Sequence, residues 1–159
     1  MLTADRLRKL LSFNPTSGKF RWRVSKGGVK VGGVAGFTGR KGYHQIHIDG
    51  TSYQAGRLAW LYTIGRWPKL DIDYINRNRS DIRWSNLREI TASQRRAKAR
   101  TNNKLGVKGV WITRDGRYAV RIRVANKRTY LGSFGTLEKA SAAYLKAAKE
   151  AFGEFARAR

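Results

Sequence analysis

The sequence predicts an α+β protein of short antiparallel strands and short helices, with a β-rich N-terminal portion. It ends in a small antiparallel sheet packed on one α-helix. Three observations carry that expectation. Residues 116–124, "GRYAVRIRV", alternate strictly between polar and apolar side chains, the period of a half-buried strand. Residues 136–156, "TLEKASAAYLKAAKEAFGEFA", place Ala140, Ala143, Tyr144, Ala147 and Ala151 on one helical stripe, and Thr136 can cap it. Glycine-rich and polar turn clusters punctuate the rest into segments too short for long helices.

Along the chain, residues 3–11 read as a helix with Thr3 as N-cap, Asp5 in the first turn and Leu7, Leu10 and Leu11 on the apolar face. "FNPTSG" (13–18) is a turn cluster, and "KFRWRV" (19–24) is a strand with Phe20, Trp22 and Val24 on one side. "KGGVKVGGVAGFTGRKG" is a loop and strand-edge region without a phosphate-binding G-x-G-x-x-G pattern. "YHQIHI" is a strand followed by a "DGT" turn. "AGRLAWLYTIG" (55–65) is a helix with Leu58, Leu61 and Tyr62 on one face, stopped by Gly65 and Pro68. "DIDYI" (71–75) and "NLREI" (86–90) are two short strands joined by a polar loop. "SQRRAKARTNNKLG" (93–106) carries Arg95, Arg96, Lys98, Arg100 and Lys104 with no acidic residue, and reads as a basic helix running into a linker.

Charge narrows the function classes. Thirty-four Lys and Arg against ten Asp and Glu give a net charge of +24 over 159 residues. Such a field attracts polyanions, and nucleic acid is the expected partner. The basic residues are not gathered on one amphipathic helix, and no apolar run has the length of a membrane span, so a membrane is the lesser expectation. There is no cysteine, hence no disulfide or thiolate metal site, and the N-terminus lacks a signal-peptide pattern. An unsecreted protein of the cytoplasm or nucleoid of a bacterial host is expected, with a monomer favoured.

In the last third, Arg117, Ala119, Arg121 and Arg123 are expected on one face of their strand and Tyr118, Val120, Ile122 and Val124 on the other. "ANK" is the turn into "RTYLGSF". The result is a sheet with a helix on one face and Arg117, Arg121, Arg123 and Arg128 on the opposite face, beside Trp111 and Tyr130. A two- or three-stranded ribbon fits the roughly 12 Å major groove, where Arg can bond guanine through two N–H groups.

Two resemblances sharpen this reading. "GVKGVWITRDGRYAVRIRVANKRTYLGSFGTLEKASAAYLKAAKEAFGEFA", about a third of the chain, resembles the APETALA-type DNA-binding domain of plant ethylene-response factors. That resemblance implies a three-stranded antiparallel sheet packed on one α-helix and lying in the major groove, with contacts from Lys108, Trp111, Thr113, Arg117, Arg121, Arg123, Arg128 and Tyr130. Trp111 stands where that family usually has Arg, and Arg121 where Glu is common. The middle segments "AGRLAW", "GRWP", "IDYINRN", "SDIRWSNLRE" and "SQRRAKAR" resemble the HNH homing endonucleases of phages and mobile introns, implying a ββα-metal unit over residues 55–100.

The HNH resemblance implies Asp73 as a metal ligand, Asn86 as loop organiser, Tyr74 at the general-base position and Arg95 at the second ligand position. Guanidinium has no lone pair to give a metal, and Tyr with a pKa near ~10 is a poor base at neutral pH. Gly56, Asn78 and Ile82 replace the family's His, Asp and Asn. His44 and His47, three apart on one strand, face opposite sides, so neither a catalytic nor a metal-binding pair is expected there. Asp71 and Asp73 share a strand face and are expected as ion-pair partners. No catalytic residue and no metal are therefore expected, with Mg or Mn at Asp73 only if the chain still cuts.

The expected organisation is residues 1–100 as an HNH-like domain (a β-rich segment over 1–54 and the ββα region over 55–100), a linker over 101–106, and a DNA-binding domain over 107–159. The expected function is double-stranded DNA binding without cleavage, with Arg95, Arg96, Lys98 and Arg100 gripping the backbone. The alternatives are an active Mg/Mn-dependent nicking endonuclease and a basic RNA- or protein-binding structural component.

Overall fold

Several small antiparallel sheets and four α-helices make up the computed structural model, which describes residues 1–25 and 28–158. Two residues of the expected glycine-rich loop, Lys26 and Gly27, lie outside the described residues, as does Arg159. Two compact units divide the chain, Met1–Ile90 and Thr91–Arg159.

In the first unit, α1 (Ala4–Leu10) starts at Thr3, whose hydroxyl accepts from the Arg6 amide at 3.2 Å. Leu7 and Leu10 are buried, but Leu11 is not within the helix as expected. It opens β1 (Leu11–Asn14), which pairs antiparallel with β2 (Lys19–Trp22). Phe13 and Phe20 are cross-strand partners stacked at 4.6 Å, so this pairing buries two rings that a turn over 13–18 would have left apart. The turn itself shrinks to residues 15–18, where the Asn14 side chain accepts from the Thr16 and Ser17 amides.

A second sheet orders β3 (Phe37–Thr38), β4 (His44–Ile48) and β5 (Thr51–Gln54). Asp49 and Gly50, both at positive φ, turn β4 into β5. Helix α2 (Ala55–Ile64) buries Leu58 and Leu61, and ends where Gly65 adopts φ +83° and its amide returns to the Leu61 carbonyl. The strands β6 (Asp71–Tyr74) and β7 (Leu87–Ile90) form the expected antiparallel pair, with Asp73 opposite Arg88 and Tyr74 opposite Leu87. The core of this unit joins α1, β1, β2, β4 and α2 with Tyr74, Ile82 and Leu87.

The second unit begins with α3 (Ala92–Lys98), closed at its start by a reciprocal pair: Thr91 accepts from the Gln94 amide and the Gln94 side chain from the Thr91 amide. This basic helix is expected with residues 55–100, yet it packs with the C-terminal elements and stops before Arg100. The expected linker is ordered by one side chain: Asn103 donates to the carbonyls of Val107 and Val110 and accepts from the Leu105 amide. The sheet orders β10 (Lys127–Phe134), β9 (Tyr118–Val124) and β8 (Val110–Ile112), all antiparallel. Its hairpin turn is Ala125 and Asn126 at positive φ, two residues instead of three, and Lys127 already belongs to the strand.

Helix α4 (Leu137–Phe152), capped by Thr136, covers one sheet face with Ala140, Tyr144 and Ala148. Ala151, expected on that stripe, is exposed, because the buried positions recur every four residues from Ala140. Close approach is set by Gly109, at φ +64°. A Cβ there would lie 2.0 Å from the Arg121 carbonyl and 2.9 Å from the Tyr144 ring.

Candidate nucleic-acid interface

The β6–β7 hairpin holds three residues that the sequence singles out. Asp73 accepts from Arg88 Nε at 3.0 Å, and the two side chains retain only 11% and 19% of their exposure. Arg88 is the cross-strand partner of Asp73, so the pairing register itself brings the two charges together.

Tyr74 points the other way, into the core, and is 5% exposed. Its pKa is pushed up to about 12, first by burial and then by the neighbouring Tyr43. The Gly56 amide, which bonds the hydroxyl, and the Arg79 charge oppose that rise. The hydroxyl lies over Gly56, where a Cβ would come within 2.5 Å of it. Ile82 is buried in the same core.

Asn86 is the one buried polar or charged residue among the described residues. Its carbonyl oxygen accepts from the Asn76 amide at 2.9 Å, and its NH₂ donates to the Asp81 carbonyl at 2.7 Å. It thereby ties both ends of the loop between the strands. Asp81 completes the tie: Arg83 donates to both its carboxylate oxygens and Asn76 donates to one of them. The Arg83 hydrogen bond leads the causes that lower the Asp81 pKa to about 2.

The open face of the C-terminal sheet is built differently. Asp115 is the one acidic residue between Glu89 and Glu138. Arg117, Arg121, Arg123 and Arg128 are all exposed, with Trp111 and Tyr130 among them. The Arg121 guanidinium lies over the Trp111 ring, 5.1 Å from its centroid, and the Trp111 and Tyr130 rings are 6.4 Å apart. Arg123 and Arg128 are direct cross-strand partners, a like-charge pairing that disfavours the free sheet. Arg96 of α3 joins Arg121, Arg123 and Arg128 around one cavity of about 330 Å³.

Residues 53–97 match the HNH endonuclease family. This HNH-like segment begins within β5, runs through α2 and the β6–β7 hairpin, and ends in α3. The match associates the chain with nucleic acid. A search of the curated proteins found no match.

Some residues expected at the interface already have partners within the protein. Lys108 donates to the carbonyls of Arg96 and Ala97 at the end of α3, and burial lowers its pKa. Thr113 closes the β8–β9 turn through its bonds to the Arg117 amide and carbonyl. Arg95 and Arg96 are exposed on α3, Lys98 is half-buried, and Arg100 lies beyond the helix end. Asp73, Tyr74 and Asn86 share the hairpin, whereas Arg95 belongs to the second unit. His44 donates from Nε2 to the Ala35 carbonyl at 3.0 Å, and His47 is exposed on the same strand. Among the described residues no group of three or more His, Asp or Glu side chains is gathered to hold a metal ion. Nor is any helix among them long and apolar enough to cross a membrane.

Sequence reasoning missed Arg88 and Arg79. Arg88 is visible as the residue two before Ile90, but pairing it with Asp73 requires the strand register. Arg79, in the β6–β7 loop, sits 4.7 Å from the centroid of the Tyr43 ring, just ahead of β4.

Proposed function

We propose that this chain binds double-stranded DNA on a scaffold of HNH type and does not cut it. The observation that carries the reading is the open face of β8–β10: four exposed arginines interleaved with two exposed aromatic rings and bare of carboxylates among its described residues. A face of that composition offers hydrogen bonds to base edges and charge to phosphates, and its three strands suit the major groove. Arg96, bordering the same cavity as the sheet arginines, extends the positive surface toward the backbone.

The hairpin supports the absence of cleavage. The HNH likeness implies a divalent metal at Asp73, and the residues present do not fit one. Asp73 is already neutralised by Arg88 at 3.0 Å, and Arg95, at the second ligand position by spacing, has no lone pair. Tyr74 keeps its proton at neutral pH and faces the core, away from any water it could activate. The resemblance of 107–159 to the ethylene-response-factor domain is consistent with a sheet that reads bases.

Purified protein should retard duplex DNA and leave supercoiled plasmid intact with Mg²⁺ or Mn²⁺. Nicking that Asp73→Ala abolishes would overturn the non-cutting half. Preference for single strands or structured RNA over duplex would overturn the binding half.

A further inference from the structure

The four exposed arginines of the sheet are not equivalent. Arg117 donates to the Ser133 hydroxyl and carbonyl, and Arg123 donates to the Asn126 side chain, so both forks are partly spent within the protein. Arg121 is held differently. Trp111 packs against the face of its guanidinium, and Tyr130 stands directly opposite it on β10. Its N–H groups make no hydrogen bond or ion pair among the described residues, so the whole donor edge is open.

A guanidinium fixed by its face and open at its edge is preorganised for a planar pair of acceptors. In the major groove guanine O6 and N7 supply that pair. The same arrangement leaves apolar ring surface beside the fork, since Trp111 is 37% and Tyr130 61% exposed. The apolar protrusion that a base pair offers in the major groove is a pyrimidine C5-methyl group. In a pyrimidine–guanine step that methyl adjoins the guanine edge, next to an arginine bonded there.

Resting on the duplex-binding reading above, we propose that Arg121, seated on Trp111, reads a guanine preceded by a 5-methylpyrimidine, thymine or 5-methylcytosine. Trp111 and Tyr130 accept the methyl, and Trp111 holds the fork in the plane of the base.

The test begins by selecting bound duplexes from a randomised pool with the full chain. On the winning duplex each guanine is then replaced by 7-deazaguanine and each thymine by uracil. One guanine should be sensitive, its replacement weakening binding roughly ten- to hundredfold. Replacing the thymine before it should cost about fourfold, the worth of one buried methyl. Arg121→Ala removes the donor fork, and should erase the 7-deazaguanine penalty while leaving circular dichroism unchanged. Trp111→Ser should shrink the uracil penalty and weaken the guanine preference. An unchanged motif and unchanged penalties in Arg121→Ala would overturn this assignment, leaving duplex binding intact. Failure of the wild-type chain to bind duplex at all would remove the reading beneath it as well.

Discussion

Gly56 and Tyr74 are two departures from the HNH pattern that the sequence shows as separate events eighteen positions apart by their numbering. The structure joins them. The Tyr74 ring is buried with its hydroxyl against the Gly56 backbone, so a side chain at 56 and a tyrosine at 74 compete for one volume. Gly56→Ala adds helix propensity to α2 but forces Cβ to 2.5 Å from that hydroxyl. The overpacking should prevail and destabilise the fold by about 1–3 kcal/mol in urea denaturation. In a Tyr74→Phe background the same change should cost clearly less, because the clashing atom is gone. Equal costs in both backgrounds would mean the contact does not constrain residue 56. Any attempt to rebuild a histidine at 74 has to reckon with both positions. That Tyr74 is a poor base was legible in its chemistry; that it serves as a core residue was not.

The loop joining β6 to β7 is held by side chains, with Asn86 and Asp81 at its centre. The Asp81 carboxylate has a folded pKa of about 2, below its ordinary value, chiefly through the Arg83 hydrogen bond. A group depressed in this way favours the folded state once the unfolded chain would also be ionised, above about pH 4. That contribution fades as pH falls from about 4 toward 2. Urea midpoints should therefore drop over this interval, and Asp81→Asn should flatten the drop while lowering stability at neutral pH. An unchanged acid limb in the variant would place the loop's acid sensitivity elsewhere. The two strands were readable from their apolar alternation, and the loop's polar character from its letters. The tie itself was hidden, since it depends on Asn86 reaching back to Asn76 and Asp81 across the turn.

For the whole molecule, the proposed function has charge set the strength of association and the sheet set what is read. If eight to ten phosphates are neutralised, log K should fall with log salt at a slope of roughly −7 to −9. A slope near roughly −2 would show that most of the basic surface faces away from DNA. Arg128→Ala should weaken all duplexes alike and reduce the slope by about 1, in contrast to Arg121, whose replacement should alter preference.

The sequence by itself determined the positive field, the strand alternation and the arginine face, because charge and period-two patterning are local properties that add along a chain. It also carried enough of the HNH framework to be matched over residues 53–97. Tertiary structure alone decided which of those side chains are committed. Lys108 reaches the end of α3, Arg88 holds Asp73, and Trp111 seats Arg121 while leaving its donor edge open. Those outcomes depend on register and packing between residues distant in sequence, and a hydrogen-bond donor is available to a ligand only when the fold has not already used it.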